Sequence, residues 1–102
     1  MITNIDGKDI HHVILEEQCW EENWDKNILC YVYTIYHEGI TGFSKCIIDY
    51  DYSSINGSIN KREQCGSIYR IDTDTDYIFI YSDMKPTEDI PIEFVVVDVC
   101  FR

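Results

Sequence analysis

The stretch Ile-Leu-Cys-Tyr-Val-Tyr-Thr-Ile-Tyr, residues 28–36, decides the fold of this 102-residue chain. One set of alternate positions, from Leu29 to Ile35, is apolar or aromatic, and the other set, from Cys30 to Tyr36, is apolar or amphipathic. Successive side chains of a strand point to opposite faces of a sheet, and a strand that is apolar on both faces is covered on both. The stretch therefore predicts a central strand.

Further apolar runs of strand length recur at short intervals, and clusters of turn-forming residues separate them. The additional predicted strands are 10–15, 43–52, 67–71, 77–81 and 92–101, and the turn clusters are 21–27, 38–42, 53–58, 72–76 and 82–89. Residues 77–81 and 94–97 are also apolar on both faces, whereas the acidic side chains within 43–52 predict a half-exposed strand. Asn56-Gly57 is the strongest hairpin signal, because both residues tolerate the positive φ of a type I′ turn.

Regularly spaced short strands of this kind predict an all-β or β-rich α+β fold. We expect a single antiparallel sheet or a small sandwich of five to seven short strands, formed by one domain that spans residues 1–102. At most one short helix is expected, near 13–24. There Trp20 and Trp24 share one arc of a helical wheel, but Glu17 interrupts that arc and weakens the pattern.

The charge balance limits the classes of partner. The chain has 19 acidic residues against 8 basic ones and a net charge of -11 at pH 7. Such a charge opposes direct binding to nucleic acid or to an anionic membrane, and it favours a basic protein partner. The five cysteines are an odd number, and no two of them form a Cys-x-x-Cys pair, so they predict a reduced protein without a disulfide framework. With no signal-peptide pattern at the start, we expect a cytoplasmic location.

Three groups of residues are candidates for partner binding. In an extended strand, carboxylates two residues apart share a face about 6.6 to 6.8 Å apart, a scale comparable with the phosphate spacing of a nucleic-acid strand. Tryptophans surrounded by charged residues have the composition of an interface anchor. The candidate residues are Glu17, Trp20, Glu21, Glu22, Trp24 and Asp25 in the first group, Asp49 and Asp51 in the second, and Asp72, Asp74 and Asp76 in the third.

Catalytic and metal sites have weaker support in the sequence. His11, His12 and His37 could act with a cysteine or a carboxylate, but no nucleophile elbow, zinc motif or phosphate-binding loop accompanies them, and neighbours such as His11 and His12 point to opposite faces of a strand. Asp72 and Asp83 could begin and end a calcium loop, but Tyr77 occupies the position of its turn glycine. We therefore expect no metal and no cofactor.

Taken together, these features predict a small acidic binding protein that inhibits or neutralises a basic partner. The expected partner is a nuclease or nucleoprotein, as for an anti-CRISPR protein of a phage or an immunity protein of a nuclease toxin, and the expected mechanism is steric and electrostatic occupation. The first alternative is a structural or accessory subunit that pairs through a sheet edge, with self-association into a homo-oligomer also open. The second is a small hydrolase or ligand-binding enzyme that uses the histidines.

Overall fold

A computed structural model describes residues 9–55 and 57–98 of the chain. Within this part the chain forms seven strands and one α-helix. In chain order they are β1 (His11–Leu15), β2 (Glu21–Asp25), β3 (Ile28–Tyr36), β4 (Ser44–Tyr50), α1 (Ile59–Cys65), β5 (Ile68–Asp74), β6 (Tyr77–Ser82) and β7 (Ile90–Asp98). A 3-10 turn, Glu17–Cys19, lies between β1 and β2.

The strands form two antiparallel sheets, which confirms the β-rich fold with a short helix. The three-stranded sheet has the order β1-β7-β4, and the four-stranded sheet has the order β2-β3-β6-β5. Alternate residues of β6, such as Ile78 and Ile80, are fully buried and pack in one core with Ile92 and Phe94 of β7. The core therefore draws side chains from both sheets, and α1 lies against β4 and β7.

The helix prediction is wrong about its position. Residues 13–24 form part of β1, the 3-10 turn and β2, whereas the α-helix begins after Ser58. The Oγ of Ser58 accepts a hydrogen bond from the backbone N–H of Lys61 at 3.2 Å and so caps the first turn, and Gly66 ends the helix. Because β2 is an edge strand, it needs only backbone pairing with β3, and its polar side chains remain exposed to solvent.

The hairpin predicted at Asn56-Gly57 is also wrong. The chain continues from this point into α1 and not into a returning strand, and Asn56 lies outside the described residues. Gly57 serves another purpose, because a Cβ there would stand 2.5 Å from the hydroxyl oxygen of Tyr50. The two-residue turn with positive φ at both positions is Lys26-Asn27, at 51° and 67°, between β2 and β3.

Candidate interaction surface

The outer face of the four-stranded sheet, turned away from the core, carries aromatic side chains in its centre and carboxylates along its borders. Residues that lie directly opposite on neighbouring strands share a face, so the strand register defines this surface. Its central rows are Tyr36, Tyr77 and Asp74, then Thr34, Phe79 and Asp72, then Val32, Tyr81 and Arg70. Glu21 of β2 pairs with Val32, and Asp25 lies on the same face of β2. We call this surface the aromatic face.

The aromatic rings at one end of this face contact one another and are open to solvent. The rings of Tyr36 and Tyr77 meet edge to face with centroids 5.7 Å apart, and those of Tyr77 and Phe79 stack at 6.2 Å. Tyr36 is 62% exposed and Tyr77 is 43% exposed. The prediction that 28–36 and 77–81 are covered on both faces is therefore wrong for this face. Tyr77 therefore contacts both neighbouring rings, and the three rings form a surface that solvent can reach.

At the other end of the face, Arg70 is held by an aromatic ring and two carboxylates. Its guanidinium carbon lies 4.8 Å from the centroid of Tyr81. Its Nε donates to Oδ1 of Asp72 at 3.2 Å and its Nη2 to Oδ2 at 2.7 Å, while Nη1 donates to Asp25 at 3.2 Å. The hydroxyl of Tyr69 donates to Asp25 at 3.1 Å. Hydrogen bonds and charge from Asp72, and then from Asp25, raise the pKa of Arg70, so the guanidinium stays charged. We call Arg70, Tyr81, Asp25 and Asp72 the Arg70 cluster.

Five of the predicted acidic binding residues lie on β2 or β5, the two outer strands of the sheet. Glu21, Asp25, Asp72 and Asp74 share the face itself, although Asp25 and Asp72 are already engaged by Arg70. Glu22 is exposed on the same edge strand but points to the opposite side. The structure thus brings together carboxylates that lie about fifty residues apart along the chain, which sequence spacing could not show.

The two tryptophans have different environments. Trp24 is 67% exposed on β2, so it is available for contact. Trp20 is 6% exposed, and its ring packs edge to face on Tyr33 with centroids 5.3 Å apart. Its indole N–H has no hydrogen-bond partner among the described residues. The prediction of Trp20 as a surface anchor is therefore wrong, because the connection between β1 and β2 turns this side chain into the core.

The remaining predicted residues lie away from the aromatic face or support a turn. Glu17 lies in the 3-10 turn and is partly exposed, and its backbone N–H donates to Oδ1 of Asp89. Asp76 follows β5 at φ 64°, and its Oδ1 accepts from the backbone N–H of Gly39 at 3.0 Å. Asp49 is on β4 of the other sheet, and Asp51 follows it and is only 6% exposed. Burial removes Asp51 from the surface through which a large partner could bind.

A second polar group, which sequence analysis missed, gathers Asp51 with His12 and Glu93. Oδ2 of Asp51 lies 3.0 Å from Nδ1 of His12, and one ligand atom from each of the three residues lies within 4.8 Å of the others. His11, the preceding residue, points to the opposite face of β1, as the alternation predicted. There its ring lies 4.7 Å from that of His37, centroid to centroid. The three residues come from β1, β7 and the end of β4, so only the sheet register brings them together. Their side-chain types could hold a metal ion.

The carboxyl of Asp51 is stabilised in its charged form. Burial alone would raise its pKa, but hydrogen bonds from Ser53 and His12 outweigh burial and hold the pKa below its ordinary value. Ser53 supplies both its backbone N–H, at 3.0 Å, and its hydroxyl, at 2.6 Å. The hydroxyl and the backbone N–H of Ser53 therefore both donate to the carboxylate, and Asp51 anchors the turn after β4.

A cleft of about 350 Å³ lies between β4, α1 and β5, with Arg62, Cys65 and Tyr69 among its lining residues. Burial raises the pKa of the Cys65 thiol to about 11, with a smaller effect from the charge of Asp49. At neutral pH that thiol is protonated and is a weak nucleophile. The four cysteines in the described part of the chain are free, and Cys100 lies outside that part.

Comparison of the chain with protein-family models, with curated proteins and with solved structures finds no match. Among the described residues, no helix is long and apolar enough to cross a membrane. The function must therefore be argued from the surface itself.

Proposed function

We propose that this protein binds a basic partner, a nuclease or another nucleic-acid-processing protein, and blocks it by occupying its cationic surface. The observation that carries the proposal is the aromatic face, where exposed rings are bordered by carboxylates from β2 and β5. Aromatic side chains dominate the binding energy of many interfaces, and a charged border steers the partner and excludes wrong ones. A protein that acts on nucleic acid presents the complementary cationic surface.

The net charge supports the same partner class. With a formal charge of -11, the protein attracts cationic surfaces over about one Debye length, near 8 Å at physiological salt, and repels nucleic acid itself. Glu21 and Asp74 are the carboxylates of the face that Arg70 does not engage. They are therefore the residues through which we expect charge to act on the partner.

The experiment is a pull-down from the native host lysate at low and high salt, followed by an assay of the recovered partner on nucleic acid. The baits are the wild-type chain, the double variant Tyr36→Ala/Tyr77→Ala, and Tyr52→Ala, which removes an exposed tyrosine that follows β4 and lies outside the four-stranded sheet. We expect wild type and Tyr52→Ala to retain a basic protein at low salt, and the double variant to lose it. Added wild-type protein should lower the nucleic-acid binding or cleavage of that partner.

Two results would overturn the proposal. Equal recovery of the partner by the double variant would show that the aromatic face is not the interface. A partner that is not basic and stays bound at high salt would favour the accessory-subunit alternative, because association through a sheet edge depends little on ionic strength.

A further inference from the structure

We infer that the end of the aromatic face formed by Tyr36, Tyr77, Phe79 and Asp74 is a subsite for an arginine side chain of the basic partner. This inference rests on the proposed function and specifies how that surface recognises its partner. The Arg70 cluster, at the other end of the same face, shows the chemistry: a guanidinium over a tyrosine ring, with a carboxylate of β5 beside it. Around Tyr77 the strand register places a carboxylate of β5, Asp74, directly opposite the ring.

The two tyrosines of β6 face β5 residues of opposite charge. Arg70 pairs with Tyr81, and Asp74 pairs with Tyr77, so each tyrosine of β6 has a polar residue of β5 directly opposite it. Both oxygens of Asp72 accept from Arg70, whereas Asp74 accepts through Oδ1 from the N–H of Thr75 at 2.7 Å, and its Oδ2 has no partner among the described residues. That second oxygen can accept from an incoming guanidinium.

The exposed rings can also attract a cation. Those of Tyr36 and Tyr77 meet at 73°, and Phe79 stacks beside Tyr77. A cation over such rings is attracted by their quadrupoles, and a planar guanidinium stacks as well. Tyr77 and Tyr81 are four residues apart on β6, or about 13 Å, which exceeds the Debye length at physiological salt, so Arg70 repels the incoming charge little.

The probe that tests the inference is a blocked Gly-Arg-Gly-Arg-Gly peptide, titrated into the full chain while NMR follows the aromatic ring signals. Matched peptides carry lysine or uncharged citrulline in place of arginine. The variants are Tyr77→Leu, which keeps an apolar side chain without a π face, Tyr77→Phe, which keeps the π face, and Tyr52→Leu as the exposed control. Circular dichroism and the melting temperature establish that each variant is folded.

We expect the arginine peptide to shift the ring signals of Tyr36, Tyr77 and Phe79, and to bind more tightly than either matched peptide. Tyr77→Leu should weaken binding roughly twofold to fivefold, the range of a cation–π contact at an exposed site, whereas Tyr77→Phe and Tyr52→Leu should bind the peptide about as tightly as wild type. Asp74→Asn should also weaken binding and flatten its salt dependence.

Equal affinity for the arginine and citrulline peptides, or equal affinity of the folded Tyr77→Leu variant and wild type, would overturn the inference. A preference for lysine would overturn the guanidinium assignment. These outcomes are independent of the pull-down, because the peptide assay requires no partner. If Tyr36→Ala/Tyr77→Ala loses the partner while the arginine peptide does not bind at these rings, the proposed function stands and the arginine subsite fails.

Discussion

Alternate residues of β6 should serve different purposes: those that face the core should determine stability, and those on the aromatic face should determine partner binding. Ile78 is fully buried in the core, and its neighbour Tyr77 lies on the opposite, exposed face. Ile78→Ala should lower the free energy of unfolding by about 3 kcal/mol, within the range of 2 to 5 for buried isoleucine. Tyr77→Ala loses the ring contact with Tyr36 and partial burial, which amount to about 1 kcal/mol. The strand-propensity cost of alanine is similar at both positions and cancels in the comparison.

The assay is thermal and urea unfolding of both variants, followed by circular dichroism. A difference of about 2 kcal/mol corresponds to about 8 to 16 °C in melting temperature for a domain of this size. Ile78→Val, which should cost about 1 kcal/mol, replaces Ile78→Ala if the latter does not fold. Equal destabilisation by Tyr77→Ala and Ile78→Ala would refute the reasoning, because it would mean that the aromatic face is buried in solution. A melting temperature that rises with protein concentration would then identify self-association as the cause.

Three further predictions concern other parts of the molecule. Gly57→Ala should cost about 1 to 3 kcal/mol in urea unfolding by overpacking, whereas Gly42→Ala, whose added Cβ comes no closer than 4.0 Å to any atom, should stay within about 0.5. Because the pKa of Asp51 is lowered in the folded state, its charge stabilises the fold above the unfolded pKa, near 3.9, and this stabilisation is lost as pH falls through the folded pKa. Asp51→Asn should therefore be less stable than wild type at pH 7. Its free energy of unfolding, measured against pH, should fall less steeply in acid. Mass spectrometry after iodoacetamide treatment at pH 7.5 should show exposed Cys19 modified before Cys46, since burial raises the pKa of Cys46 to about 12.

The sequence predicts β3 to the residue, because its apolar character is continuous and polar residues bound it on both sides. It fails at β2, where the composition of Glu21–Asp25 is that of a turn and only pairing with β3 makes it a strand. It also misplaces the turn with positive φ, because Lys26 and Asn27 are poor candidates beside Asn56-Gly57. Pairing partners and close ring contacts override local preference at these positions, and neither is visible in a window of a few residues.

The candidate site also divides into features that single residues reveal and features that depend on strand pairing. Sequence reasoning named the acidic groups and Trp24 as candidates, since charge and residue type are properties of single residues, and Trp24 is exposed whereas Asp51 is buried. It could not find the aromatic face, because that surface needs the register of β3, β6 and β5 at once, and Tyr77 to Tyr81 equally fit a strand with both faces covered. The group of His12, Asp51 and Glu93 was missed for the same reason.

The acidic residues fall into two physical classes, and only one of them is free to act on a partner. Asp51, Asp72 and Asp76 accept hydrogen bonds that hold a turn, an arginine and a loop, so their replacement should disturb these local contacts as well as the surface charge. Glu21 and Asp74 border the aromatic face without engaging Arg70. Exposed carboxylates contribute little to the free energy of unfolding, so their excess acts mainly on the electrostatic potential around the protein and on association with partners. Charge reversal at Glu21 should therefore alter association while the fold stays intact, whereas Asp74 also accepts a hydrogen bond from the backbone N–H of Thr75 in the turn after β5.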